Sequence, residues 1–459
     1  PKSKEAVTYA KKDANRTILL WFLFKELMAE EPSLLKSYQE ELDLMPELYA
    51  MENTGITLSR KKTKDLLDKM QGERKPALAI AEKIGRRIHN PEFNCNSSQQ
   101  VSQLLYGHSK SGTKITTFDK SFKLPIYRYT ETKAPATDSK TLDNIVKHCE
   151  KKPKTNKVAL EFLRSIKTAA KYETGVNYLT SYINHAVPDS YKSLIRLYPS
   201  FNQTGTRLTR LSSSNPNGQN ITENPEIPLR SVFCPTPGYY WYSIDGSQLE
   251  LAILAYASQD QRMLQAIEDK EDFHDMVMQE LFWKEAKEDK TAARKKAKAV
   301  NFRITYGGDG AAIDAIGGPG TYKRFADRFP ALPAYMSKMI AFAKRNGYIE
   351  TLSSRRLYID PRRAKTKAVN GVVQGTAGEW AKFAMRRVSQ KGLVDWKTSA
   401  ILLQLHDELL IQYPKNEPLS TIRQVCKQMK LAARDLNFRV NVDVKLIKNN
   451  WSEKESVPL

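Results

Sequence analysis

A chain of 459 residues, 41% of them hydrophobic, has apolar mass for two or three domains with real cores, which excludes a disordered or low-complexity protein. Lysine and arginine number 73 against 51 acids, a formal charge of +22 and a pI near 9.6, more than solubility requires. The expected partner is therefore a polyanion, nucleic acid first and an anionic membrane surface second; no apolar run is long enough to span a bilayer and no cleavable leader opens the chain, which weakens the membrane reading.

In chain order, the first residue is Pro1, as in a processed or trimmed product. Helical periodicity runs from Thr17 to Tyr49 and predicts a break near Pro46. Residues 56–188 are rich in Lys and Arg (RKKTK at 60–64, KKPK at 151–154) and carry amphipathic helices such as Ala159 to Tyr182. A basic run is often only a solvated helix face, so this arm alone does not choose a partner. Residues 110–140 are a polar Ser/Thr/Lys/Pro connection, predicted as loop or short extended pieces. From Leu194 the texture turns to short β-prone runs, of which YYWYSID (239–245) is the clearest. Helices follow from Leu249 to Tyr306 and from Gly378 to Lys391, then an apolar pair around His406, a helix near Leu419 to Leu436, and the strand VNVDVKL. The class is α+β with a helical insertion. GGDG (307–310) and GGPG (317–320) lack the GK[ST] of a phosphate loop and are predicted turns. Cys95, Cys149, Cys234 and Cys426 are too far apart to pair by motif; reduced thiols are expected and a zinc site is not.

Three segments carry chemistry. LLQLHDELLIQ (402–412) sets His406, Asp407 and Glu408 inside an apolar run, where charge needs a basic side chain, a metal ion, or water at a hairpin bend. The run fits a hairpin tip or a short helix equally well. Asp245 ends the strand in SIDGSQLELA. If both segments belong to one sheet, the two aspartates can converge, and adjacent carboxylates stay ionised only beside a cation, with oxygen ligands pointing to Mg²⁺. Taken singly, each reads more simply as a turn. In ARKKAKAVNFRITYGG, Arg294, Lys298, Phe302 and Tyr306 recur every fourth residue, so a helix aligns two cations and two aromatics on one face. That order suits a nucleoside triphosphate; an isolated amphipathic helix is the plainer alternative.

The combination resembles the family A DNA polymerases, the DNA polymerase I group with its phage and organellar relatives. SIDGSQLEL, RKKAKAVNFRITYG and LQLHDEL occur in the order and approximate spacing of that family's motifs A, B and C. TRLTRLSSSNPNGQN (206–220), LRSVF (229–233), DFH (272–274), GYIETLSSRRLY (347–358), VVQGTAGEWAK (372–382) and the thumb-like FNCNSSQQVSQLLY (93–106) agree. The likeness covers nearly the whole chain. It implies an α+β right-hand polymerase with an antiparallel-sheet palm, helical fingers and helical thumb. The implied divisions are a remnant of an exonuclease domain with a connecting helix at 1–44, thumb at 45–189, palm at 190–255 and 366–459, and fingers at 256–365.

The resemblance implies residue roles as well. Asp245 and Asp407, with the Gly246 carbonyl, match the metal ligands for two Mg²⁺ ions, which Mn²⁺ can replace, and Glu408 matches a supporting carboxylate. Lys298 matches the residue that holds the phosphates and protonates departing pyrophosphate. Arg294, His274 and Gln248 match further nucleotide contacts, Glu250 the acid that walls off the sugar 2′ position, Phe302 a ring near the sugar, and Tyr306 one at the template base. Arg210, Asn217, Gln219 and Gln374 match DNA contacts, Arg210 and Gln374 as minor-groove readers; Arg355, Asn370 and His406 match backbone contacts. The implied activity is DNA-templated addition of deoxynucleotides to a primer 3′-hydroxyl by a monomer, in bacterial or phage-infected cytoplasm or an organelle. Competing readings are a reverse transcriptase or lesion-tolerant enzyme on the same frame, or a catalytically silent basic DNA-binding protein. The chain departs from the family at Gly246, where an aromatic is common, at Ala252, where Arg is common, and at Arg303, where a small residue is usual. YAKKD (9–13) resembles the last exonuclease motif, but its companion carboxylates are missing from this chain, so no proofreading is expected.

Overall fold

The computed structural model describes all residues but 1, 2, 112, 113, 118, 222, 309 and 459, and only the backbone of the other residues in 108–118. Two compact units result: residues 1–56, 198–220 and 235–459 form one, and 57–197 with 221–234 the other.

The first unit is organised by a five-stranded antiparallel sheet. Its strands in chain order are β1 (Tyr239–Ser247), β2 (Ala400–Leu405), β3 (Glu408–Pro414), β4 (Asn441–Ile447) and β5 (Glu455–Ser456), arranged β2-β3-β1-β4-β5. β1 is central, and its run Trp241, Tyr242, Ser243, Ile244 is buried throughout, as expected of a strand covered on both faces. The LHDELL ambiguity resolves as a hairpin: Leu405 pairs with Glu408, and His406 and Asp407 make the turn, His406 taking a positive φ of 54°. Periodicity could not choose between hairpin and helix because the decisive bonds come from β1, more than 150 residues away along the chain by rough count, which pairs with β3 along its whole length.

Helices α1 (Lys4–Glu30) and α2 (Pro32–Thr54) replace the single N-terminal helix read from sequence, and the break falls at Glu31 instead of Pro46. Proline disfavours the helical region for the residue before it, and Glu31 sits at φ −128°, ψ 87°; Pro46 is carried inside α2. Leu44, Leu48 and Met51 of α2 enter the core of this unit. Helix α3 (Leu249–Ser258) leaves β1 directly. Beyond it, α4 (Phe273–Leu281) and α5 (Lys290–Thr305) start on Asp272 and Asp289, whose carboxylates accept backbone N–H bonds of the first turn. Helix α6 (Ala364–Gln390) begins fourteen residues, roughly four turns, ahead of the Gly378 start read from sequence. Its glycines hid it: a Cβ on Gly378 would stand 2.3 Å from Thr209 Oγ1, so close approach, and not a break, explains that glycine. Trp380 of α6, Met429 of α7 (Leu419–Asp435), and Ile244 and Ile411 of the sheet share one core.

In the second unit, helices Arg60–Ile88 and Lys157–His185 pack together. Phe93, Leu104, Leu105, Ile145, Phe162 and Leu163 fill its core, while the lysines of 60–64 and 151–154 are exposed. Of the connection read over 110–140, residues 112, 113 and 118 lie outside the described residues; strands His108–Ser111 and Lys114–Thr117 pair within it. The cysteines are free thiols. No helix among the described residues is long and apolar enough to cross a membrane.

Candidate functional site

Strand register brings the acids together. In the β3–β1–β4 layer, Glu408 stands opposite Asp245, and Asp245 opposite Asp443. The Gly246 amide donates to the Asp407 carbonyl at 3.1 Å, tying the hairpin turn to the end of β1. Sequence positions 245 and 407 thus meet at one sheet end. Burial, then the neighbouring Asp407 and Glu408 carboxylates, push Asp245 up to about 8, although its side chain still reaches solvent in the cleft. Burial lifts Asp407 to about 6 against the pull of Arg210. Asp407 Oδ1 is buried and accepts no hydrogen bond from the described residues, with Arg210 Nη2 4.0 Å away.

Helix α5 forms the facing wall. Ala293, Ala297, Val300 and Ile304 are buried on one side, which leaves the Arg294, Lys298, Phe302, Tyr306 stripe on the other. Lys298 Nζ lies 5.7 Å from the centre of the Phe302 ring, and the Phe302 and Tyr306 rings are 6.3 Å apart and nearly parallel at 19°. Both rings are more than 40% exposed. A cleft of about 510 Å³ lies between wall and sheet, lined among others by Arg210, Asp245, Gly246, Gln248, Glu250, His274, Lys298, Phe302, Tyr306, His406 and Asp407.

Several of these groups are engaged with one another. Glu250 accepts from Arg210 at 3.2 Å; burial raises its pKa and Arg210 opposes the rise. Arg294 is held by Asp272 at 2.8 Å and Asp275 at 2.6 Å, and Gln248, in the left-handed region at φ 50°, donates to the same Asp272. His274 is buried and its pKa lowered by that burial; Asn301 Nδ2 donates to its Nδ1 at 2.9 Å. Gln374 on α6 hydrogen-bonds the Tyr306 side chain.

Other residues named from sequence sit elsewhere. Asn217 Oδ1 accepts from Ser213 Oγ and from the amides of Gln219 and Asn220, building its own turn. Gln219 donates to the Gln404 carbonyl at 2.9 Å, and Gln404 in turn donates to the His406 carbonyl, so Gln219 braces the Asp407 hairpin. Asn370 is buried in α6. Arg355 is only 11% exposed and is enclosed by Glu40, Glu41 and Glu379, so in this structure it offers no open cation to a backbone phosphate. Sequence reasoning missed the partners that fix the site: Asp272 and Asp275 at Arg294, Gln404 under the hairpin, and Lys454 and Trp451 at Glu408. Only the DFH of 272–274 gave a signal, as a short stretch shared with the family that places Asp272 at the start of α4.

The donor set fits a divalent ion of the magnesium type. Two carboxylates that repel one another, one with a buried oxygen lacking a donor, would hold such an ion, whose remaining positions water and phosphate oxygens normally fill. Among the described residues no cluster of three or more His, Cys, Asp or Glu side chains that could hold a metal occurs, so the two aspartates would supply only part of an ion's ligands.

The DNA polymerase family A model matches residues 64–453. The chain belongs to DNA polymerase family A. Curated family relatives include DNA polymerase I of Caldicellulosiruptor bescii, 30% identical over 422 residues, covering 88% of this chain and 46% of the relative. DNA polymerase I of Borreliella burgdorferi is 29% identical across 98% of the chain and 47% of the relative, and the thermostable DNA polymerase I of Thermus aquaticus 28% across 93% and 49%. The chain spans about half the length of the curated relatives it matches. Among solved structures, the POL domain of Pol1 from M. smegmatis, in complex with DNA primer-template and dNTP, superposes with a TM-score of 0.74 at 24% identity, covering 90% of this chain and 70% of that one. The α+β polymerase fold is thereby established. For this family A member the structure also explains one departure: a Cβ on Gly246 would stand 2.9 Å from the Trp380 ring, which occupies the space beside β1. Ala252 is buried against the core, and Arg303 is exposed next to Phe302.

Proposed function

We propose that this chain is a DNA-directed DNA polymerase that extends a primer 3′-hydroxyl with deoxynucleotides. The observation that supports this reading best is the convergence of Asp245 and Asp407 at one sheet end, facing the Lys298–Phe302–Tyr306 wall across the cleft.

Asp245 and Asp407 would hold the divalent ions, Mg²⁺ or Mn²⁺, which when bound neutralise charge at the reacting phosphate and lower the pKa of the attacking hydroxyl. The other groups belong to the protein alone. Lys298 binds the triphosphate and donates a proton to pyrophosphate as it leaves; Arg294 joins it by exchanging Asp272 and Asp275 for phosphate oxygens. Glu250, fixed by Arg210, closes the sugar 2′ side, and Phe302 and Tyr306 give the sugar and base a flat apolar floor. In this reading residues 45–189 serve as thumb, 190–255 and 366–459 as palm, and 256–365 as fingers. Primer-template DNA and deoxynucleoside triphosphates are the partners, and the exposed lysines of 60–64 and 151–154 lie on the DNA-binding arm.

Primer extension with Mg²⁺ on DNA and RNA templates, including a mismatched labelled 3′ end, tests the proposal. Asp407→Asn is expected to abolish incorporation and to leave duplex binding within about threefold, since a carboxylate facing the ions carries no DNA contact. Equal loss of both would make Asp407 a structural residue and sink the reading.

A further inference from the structure

Glu408 is gripped by the far end of the chain. Lys454 Nζ lies 3.2 Å from Glu408 Oε1 and 3.4 Å from Oε2, and donates to Ser243 Oγ at 3.1 Å. Trp451 Nε1 donates to Glu408 Oε1 at 3.4 Å. Both partners of the ion pair are 11% exposed, so water screens it little. Its geometry is set by the sheet. β4 aligns Asp443 with Asp245, β5 returns along β4 at Lys445 and Leu446, and the turn between β4 and β5 carries Trp451 and Lys454. Directly paired residues share a face, as do residues two apart on a strand. Ser243, Asp245 and Glu408 therefore lie on one face, and Lys454 meets the acid row on that side.

We propose that Lys454 is a positioning residue for the divalent-ion centre: by holding both oxygens of Glu408 and cancelling its charge, it reserves the ions for Asp245 and Asp407. This inference rests on the function proposed above. A carboxylate placed directly opposite Asp245 and next to Asp407 would otherwise be a third ligand competing for the ions. With Lys454 in place, Glu408 is a neutralised strut that keeps the start of β3, and hence Asp407, in register.

The test is Mn²⁺ binding to the full chain without DNA or nucleotide, followed by the electron paramagnetic resonance signal of free Mn²⁺, beside primer extension. Lys454→Met keeps the apolar stem and frees Glu408; Mn²⁺ binding should tighten by roughly tenfold, the scale of one added carboxylate near a divalent ion, while turnover falls. Lys454→Arg should restore both. In a Glu408→Gln background, Lys454→Met should leave Mn²⁺ affinity within about twofold, because the group through which Lys454 acts has lost its charge. The double variant Glu408→Gln/Lys454→Met leaves neither partner of the pair as an unpaired buried charge, so it reports even if Lys454→Met folds poorly. Unchanged Mn²⁺ affinity in Lys454→Met, or the same change with Glu408→Gln present, overturns the inference. Mn²⁺ binding that is indifferent to both Asp245→Asn and Asp407→Asn overturns the metal centre itself, a separate result.

Discussion

Asp245 and Asp407 hold protons that the same groups in an unfolded chain would release. Their ordinary value is 3.8, and burial with neighbouring carboxylates raises them to about 8 and about 6. A carboxyl raised on folding favours the folded state below its unfolded pKa and loses that contribution as pH climbs through the folded value. The metal-free chain therefore carries a growing strain at this sheet end between about pH 4 and pH 8. Asp245→Asn removes the ionisation and is expected to raise the melting temperature at about pH 8 in the presence of a chelator, with no gain at about pH 4. Thermal scans of both proteins at the two pH values check this, and Mg²⁺ should stabilise the parent protein more than the variant. An equal shift at both pH values would show that the Asn acts through packing and not through charge.

At the scale of elements, α2 is fastened to α6 and to the segment after Tyr348–Glu350 by buried ions. Glu41 accepts from Lys382 at 2.7 and 2.9 Å and from Arg355 at 2.7 Å, while Ser353 and Arg355 meet Glu379. Burial opposes Glu41's charge, yet Lys382 and then Arg355 outweigh it and hold its pKa below the ordinary 4.5; Lys382's own pKa is drawn down by burial. The short contacts at Glu41 favour both partners charged. Removing Lys382 leaves Glu40, Glu41 and Glu379 gathered around the single guanidinium of Arg355, an uncompensated buried charge, so Lys382→Met should cost roughly 3–5 kcal/mol in chemical denaturation. Because a depressed carboxyl stabilises only above its unfolded pKa, Glu41's contribution fades as pH falls below 4.5, and the deficit of Lys382→Met should shrink there. A deficit independent of pH would remove the ionic account. Helix α5 shows the opposite balance: it needs no buried ions, because its apolar side seats it and leaves the cationic stripe facing outward.

Over the whole molecule, +22 of formal charge makes polyanion binding steep in salt. If about six to ten phosphates are contacted, duplex affinity should fall by roughly 10³–10⁵ between 50 and 200 mM salt, read by fluorescence anisotropy. A shallow slope would mean that the exposed lysines of the 57–197 unit do not touch DNA.

The order of the motifs along the chain, through its resemblance to family A, gave the α+β class and the family and singled out the Arg294–Tyr306 stripe and the two aspartates as candidates, although each short stretch by itself reads as a turn or a plain amphipathic helix. Tertiary structure decided what no local window contains. It chose hairpin over helix for LHDELL by supplying β1 as a partner, set Glu408 opposite Asp245, and put Trp380 where a side chain at Gly246 would sit. It also set Arg355 against Glu41 and Gln219 against Gln404, and brought Lys454 to Glu408. The physical reason is the same throughout: a charged or amide side chain looks alike in sequence whether its partner is solvent, a ligand or a residue far along the chain, and only the fold says which one lies within hydrogen-bonding distance.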